Sequence, residues 1–274
     1  MAKPLTEAPS RNRLGYYNTP HGRFLSVTTI LEHGVPKPAL PHWAAREVAQ
    51  CAVDNLPRLA RVRGRSAREE AFTWLRNAAE TKKKDAAALG GAVHNAIEAI
   101  VLGEPAQEPT EEEAPFVDAF HRFVAEHRPV WEATELVVAH PEDGWAGTAD
   151  WWAVLPRIGR VVVLGDNKTG KGVYDDAGLQ MSAYRRATVG WLRDGTEVEP
   201  PRADQAVVLH LRPDKYPDTG YRLYPMDTGD DVYAAFRHAQ GVAHYKKTVA
   251  KSVVGDPIEL VDDEEFVHYD GEVA

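Results

Sequence analysis

The chain has 274 residues, 43% hydrophobic and 27% charged, with a formal net charge of −9. That length allows a substantial core in one large domain or two small ones, and the negative charge argues against a protein that coats nucleic acid indiscriminately. The single cysteine, Cys51, excludes an intramolecular disulfide and a zinc ribbon or iron–sulfur cluster built on four thiolates of this chain.

The N-terminal stretch MAKPLTEAPSRNR is polar, with no apolar signal core, and no later apolar run nears the ~20 residues that cross a bilayer. A cytoplasmic protein without membrane contact is expected. The first ~40 residues are rich in Pro and Gly and hold one β-like run, Phe24 to Leu31. Ser66 with Glu69 spells a capping box heading a helix to about Lys83. Helical periodicity then runs from Asp85 to about Val101, with Gly90 and Gly91 inside it. Gly103 to Glu113 is expected to link to a helix from Ala114 to about His127. Strand patterns follow in TELVVAH, WAGTADWWAVL and RVVVLGD, then a helix from Asp176 to about Leu192, strands QAVVLHL and YRLYPM, and a closing helix, Asp231 to Lys247. This order predicts an α/β or α+β fold with a helical N-terminal lobe. The expected division is a lead-in and helical lobe (1–84), a core (85–250) and an acidic tail (251–274) containing VDDEEF, within one structural domain.

The stretch VVVLGDNKTGKG can be read in two ways. Gly165 to Lys171 fits the phosphate-loop pattern G-x-x-x-x-G-K. A phosphate loop needs a Ser or Thr hydroxyl after the lysine for magnesium, but Gly172 stands there, and Asp166 would face the triphosphate. The second reading is the pair Asp166 and Lys168, which a strand projects on one face about 6.5 Å apart. Asp150 precedes it, and a hairpin through PRIG would bring Asp150 to Asp166, giving two carboxylates for a divalent ion. On the preceding helix His94 and Glu98 share a face. Gln180 and Tyr184 do so on the following one, where a buried glutamine needs a polar role. The Gly90–Gly91 pair permits close approach of the His94 helix to another backbone or to substrate.

Together GAVHNAIE, GTAD, GDNKTG and QMSAY resemble, in order, the motifs of PD-(D/E)XK nucleases of the RecB-like type, from about Gly90 to Arg186. That group includes phage recombination exonucleases and CRISPR-associated adaptation nucleases. SVTTIL with Trp43 is similar to the lead-in of phage members. The resemblance implies a restriction-endonuclease-like core, a mixed central β-sheet flanked by helices. It implies Mg²⁺ or Mn²⁺ on Asp150, Asp166, His94 and the Asn167 carbonyl, with imidazole favouring Mn²⁺. Lys168 would steady the attacking hydroxide, Gln180 and Tyr184 would position strand and loop, and Glu135 falls where some relatives keep a further acid. Asn167 stands where the pattern usually has an apolar residue, tolerable if its side chain points away. With one cysteine the chain is similar to the cluster-free phage branch. The implied activity is DNA exonuclease cleavage leaving 5′-phosphates, in phage DNA recombination, repair or processing. A single-strand annealing protein or helicase is the implied partner, and a homo-oligomer is allowed. A DNA-binding relative that no longer cuts is the alternative, ahead of a phosphate-loop protein. Backbone contacts are expected from Arg58 to Arg65, from Lys82, Lys83 and Lys84, and from Arg185 and Arg186, with Trp151 or Trp152 available to stack on bases.

Overall fold

A computed structural model describes residues 5–105 and 107–258. Most of the acidic tail, including VDDEEF, therefore lies outside the described residues. The chain opens with a hairpin of β1 (Tyr16–Thr19) and β2 (Gly22–Ser26). The expected β-like run ends halfway. Ser26 accepts a hydrogen bond from the Thr29 amide and starts α1 (Val27–Gly34), so a cap overrides the β-branched VTTI.

The helices α2 (Ala39–Asp54), α3 (Leu56–Leu59), α4 (Gly64–Arg76) and α5 (Ala78–Leu102) follow. Ser66 and Glu69 do not cap. They lie inside α4, where Ser66 bonds Glu70 and Glu69 bonds Arg65. The reciprocal pair of a capping box occurs instead at Thr110 and Glu113, ahead of α6 (Ala114–His127). Because α5 begins at Ala78, position 84/85 falls inside a helix.

The central sheet is mixed. Strands β3 (Val130–His140), β4 (Trp145–Leu155) and β5 (Val161–Lys168) form an antiparallel meander. Next, α7 (Asp176–Tyr184) stops well short of Leu192, because β6 (Val189–Trp191) pairs with β3 and buries Trp191. A two-residue β7 (Glu197–Val198) pairs with β6. The chain then crosses to β8 (Gln205–Leu211), parallel to β5, and hairpins into β9 (Tyr221–Pro225). The order is β7-β6-β3-β4-β5-β8-β9, with β2 parallel to β4. The closing helix α8 (Asp230–His244) continues into one wider turn, Tyr245–Val249.

Both sheet faces are covered. One core joins Leu164, Trp152 and Val208 to α1, α7 and α8; the other joins Trp151, Val163 and Leu209 to Val93 and Ile97 of α5 and to Phe120 and Phe123 of α6. Adjacent strand residues point to opposite faces, so Trp151 and Trp152 each fill a different core and neither is free to stack on a base. Among the described residues no helix is long and apolar enough to cross a membrane.

Candidate metal centre

The hairpin of β4 and β5 turns at Pro156–Ile158, with Gly159 and Arg160 at positive φ. Its register sets Trp151 against Gly165, which places Asp150 beside Asp166 on the face of the first core. The ladder opens there because the Asn167 amide donates to Asp150 Oδ2 at 2.7 Å. Side chains reach this spot from four elements: His94 from α5, Glu135 from β3, Asp150 from β4 and Gln180 from α7 meet Asp166 and Lys168 of β5.

Two groupings form. His94, Glu135 and Asp150 each offer a donor atom, all within 4.8 Å of one another. His94 Nε2 bonds the Asn167 carbonyl at 2.9 Å, while Nδ1 lies 3.5 Å from Asp150 Oδ2. Asp166 falls outside this trio. Its Oδ1 accepts from Lys168 Nζ at 2.9 Å and Gln180 Nε2 at 3.0 Å, and its Oδ2 lies 2.7 Å from the same ammonium. The third donor within that distance is Glu135 rather than the expected Asp166. Carboxylate and imidazole donors so spaced suit a divalent cation such as Mg²⁺ or Mn²⁺.

Glu135 sits mid-strand at φ 46°, a left-handed conformation that costs a non-glycine residue about 1–3 kcal/mol and persists only where surroundings enforce it. Burial, then Asp150 and Glu98, push its carboxyl up to about 8. Burial and Asp166 likewise raise Asp150. Burial would pull Lys168 down, but Asp166 and Asp150 outweigh it and its pKa is raised. Lys168 therefore stays an ammonium at neutral pH, a fixed positive charge rather than a proton acceptor.

Two glycines and one asparagine shape the floor. A Cβ at Gly165 would lie 1.9 Å from the Trp151 ring, so this glycine serves cross-strand packing. Gly165 to Lys168 are paired strand residues, which leaves no loop there to cradle a phosphate. The Asn167 side chain points away as expected, its Oδ1 accepting from Trp151 Nε1 at 3.0 Å in the opposite core. Tyr184 is buried against Gly147, where a Cβ would lie 2.7 Å from its hydroxyl; it packs on β4, whereas Gln180 reaches Asp166. Of the glycine pair on α5, Gly90 faces Thr169, and Gly91 has open space.

Sequence reasoning did not find two supports. His210, opposite Lys168 on β8 and fully buried, bonds the Gly170 carbonyl at 2.8 Å and Tyr216 at 2.9 Å, anchoring the loop after Lys168. Arg193 pairs with Glu98 and Glu104 and lowers the charge density around Glu135. Neither has a local sequence signal, because the partners are up to 95 positions away.

The expected backbone-contact residues fare unevenly. Arg185 is committed to Thr228 and the Ala203 carbonyl. Arg186 bonds Ser182, Thr228 and Asp230 and covers the Tyr233 ring at 4.7 Å. Both brace α7 against the turn before α8. Lys82 pairs with Glu47, Lys84 lies 3.9 Å from Glu80, and Lys83 is exposed. Compared with protein-family models and with curated proteins, the chain gives no match.

Proposed function

We propose that the protein is a metal-dependent nuclease acting on DNA. The observation that carries this reading is the convergence at one strand end of His94, Glu135, Asp150 and the Asn167 carbonyl on one side and the Asp166–Lys168–Gln180 group on the other. Phosphodiester cleavage needs a held cation beside a fixed positive charge, and here a candidate donor set and an ammonium lie side by side. The resemblance to PD-(D/E)XK nucleases adds the finer expectations of exonuclease action, 5′-phosphate products and a role in phage DNA recombination.

His94, Glu135 and Asp150 would hold Mg²⁺ or Mn²⁺, with the Asn167 carbonyl joining once His94 releases it. When bound, the cation would acidify a water and neutralise the scissile phosphate. Asp150 is oriented by the Asn167 amide. Asp166, itself held by Gln180, fixes Lys168, and its ammonium would orient the attacking water and stabilise charge on the phosphoryl oxygens.

The test is release of nucleotides from linear 5′-labelled duplex and single-stranded DNA in Mg²⁺, Mn²⁺ or EDTA, beside Lys168→Ala. The expected result is metal-dependent cleavage by wild type, reduced at least ~100-fold in the variant. Absence of cleavage in either metal on both substrates overturns the reading. DNA binding without cleavage would then assign a non-cutting relative, with Asp166 locked to Lys168 and Gln180 as its structural mark.

A further inference from the structure

Between Leu56 and Lys84 nine lysines and arginines stand against three carboxylates, in a chain of net charge −9. The centre of this basic segment is α4, which has no fully buried residue. Its half-buried side is Ala67, Ala71, Trp74 and Leu75. Arg65, Arg68, Phe72 and Arg76 fall on the outward side, at offsets of three, seven and eleven residues, within an arc of roughly 80°. All four are exposed. Phe72 is 64% exposed, and the Arg76 guanidinium lies 5.9 Å from its ring centre. Among the described residues Arg65 is engaged only by Glu69, in a pair whose side chains are 93% and 66% exposed, a contact easily exchanged for another anion.

A row of guanidiniums attracts a phosphate backbone. The exposed ring between them decides which form of nucleic acid fits. A duplex stacks its bases inside and presents no free base face to a helix lying on its backbone. An unpaired strand does, and base–aromatic stacking between basic contacts is how single strands are held.

We infer that the outward face of α4 binds single-stranded nucleic acid, with Arg65, Arg68 and Arg76 on phosphates and Phe72 stacked on a base. Helix α5 follows α4 after Asn77 and carries His94 to the candidate metal centre. The face would thus hold the strand that the centre cleaves. That use rests on the proposed nuclease; the binding does not.

The experiment is fluorescence anisotropy of a labelled oligothymidylate with the full chain in EDTA, so that binding is read without cleavage. Phe72→Ala should weaken binding ~5- to 100-fold yet leave binding of an abasic oligonucleotide of equal length unchanged. Arg65→Glu combined with Arg68→Glu should weaken both and flatten the salt dependence by about 0.7 for each phosphate no longer neutralised. Unchanged melting temperatures, expected at exposed positions, confirm that the variants fold. Wild-type affinity in both variants overturns the inference. So does equal loss on base-containing and abasic strands with Phe72→Ala, or equal affinity for duplex with no effect of that substitution. A wild type that cuts nothing but binds through Phe72 refutes the nuclease and keeps this surface. Cleavage by wild type with binding unaffected in every α4 variant refutes this surface alone.

Discussion

Replacing Glu135 by glutamine should stabilise the metal-free protein, and by an amount that depends on pH. An ordinary glutamate ionises near 4.5, whereas Glu135 does so at about 8. Between those values the folded chain holds a proton that the unfolded chain has lost, so wild-type stability falls as pH rises through the window. The cost is absent below about pH 4.5 and complete above about pH 8. At ~1.4 kcal/mol for each pH unit, the full displacement is worth about 4–5 kcal/mol as an upper bound. Partial solvation brings the expectation at pH 8 to roughly 2–4 kcal/mol. For a chain of this size that is a rise in melting temperature on the order of 5–12 °C. Thermal melts in EDTA at pH 5, 6.5 and 8 should give a Glu135→Gln difference near zero at the first value and largest at the last. Adding Mn²⁺ should narrow the gap. Wild type gains from binding, about 2.7 kcal/mol at a hundredfold excess over Kd, while the variant lacks one donor. A variant no more stable than wild type at pH 8 in EDTA, or a gain that ignores pH, would refute the assignment of Glu135 to a crowded anionic centre.

Gly165→Ala places a methyl group inside the Trp151 ring volume, so the strands must part; a loss of at least ~3 kcal/mol in urea unfolding is expected, at the upper end of overpacking costs. Loss below about 1 kcal/mol would show that the tryptophan can move aside. Arg186→Ala removes bonds to Ser182, Thr228 and Asp230 and should cost about 1–2 kcal/mol of stability. DNA affinity should stay the same, and a large drop in affinity with unchanged stability would return Arg186 to the nucleic-acid contacts.

Much of the sheet was legible because its signals are local. Short apolar runs rich in β-branched and aromatic residues in TELVVAH, WAGTADWWAVL and RVVVLGD predict the strands that form, and PRIG supplies the turn that sets Asp150 beside Asp166. The helix Ala114–His127 has the expected bounds. Spacing put Gln180 on one face of α7 with Tyr184. What sequence could not settle depends on partners distant in the chain. Val189–Trp191 continues a helical pattern until β3 offers it an edge. Ser66–Glu69 has the letters of a cap but sits one turn inside a helix that starts earlier, while Thr110 and Glu113 make the reciprocal bonds.

The centre divides along the same line. That Asp150 would stand beside Asp166 and Lys168 follows from order and period in the sequence, whereas His94 was singled out by the resemblance. Which carboxylate joins His94 and Asp150 was decided by tertiary structure. Gln180 and Lys168 engage Asp166, while Glu135, left-handed in β3, offers a donor within 4.8 Å of those of His94 and Asp150. Period-two alternation assigns a side chain to a face of the sheet. Only the packed structure decides which neighbour on that face it meets, because direction at this range is set by hydrogen bonds and backbone angles that alternation does not encode.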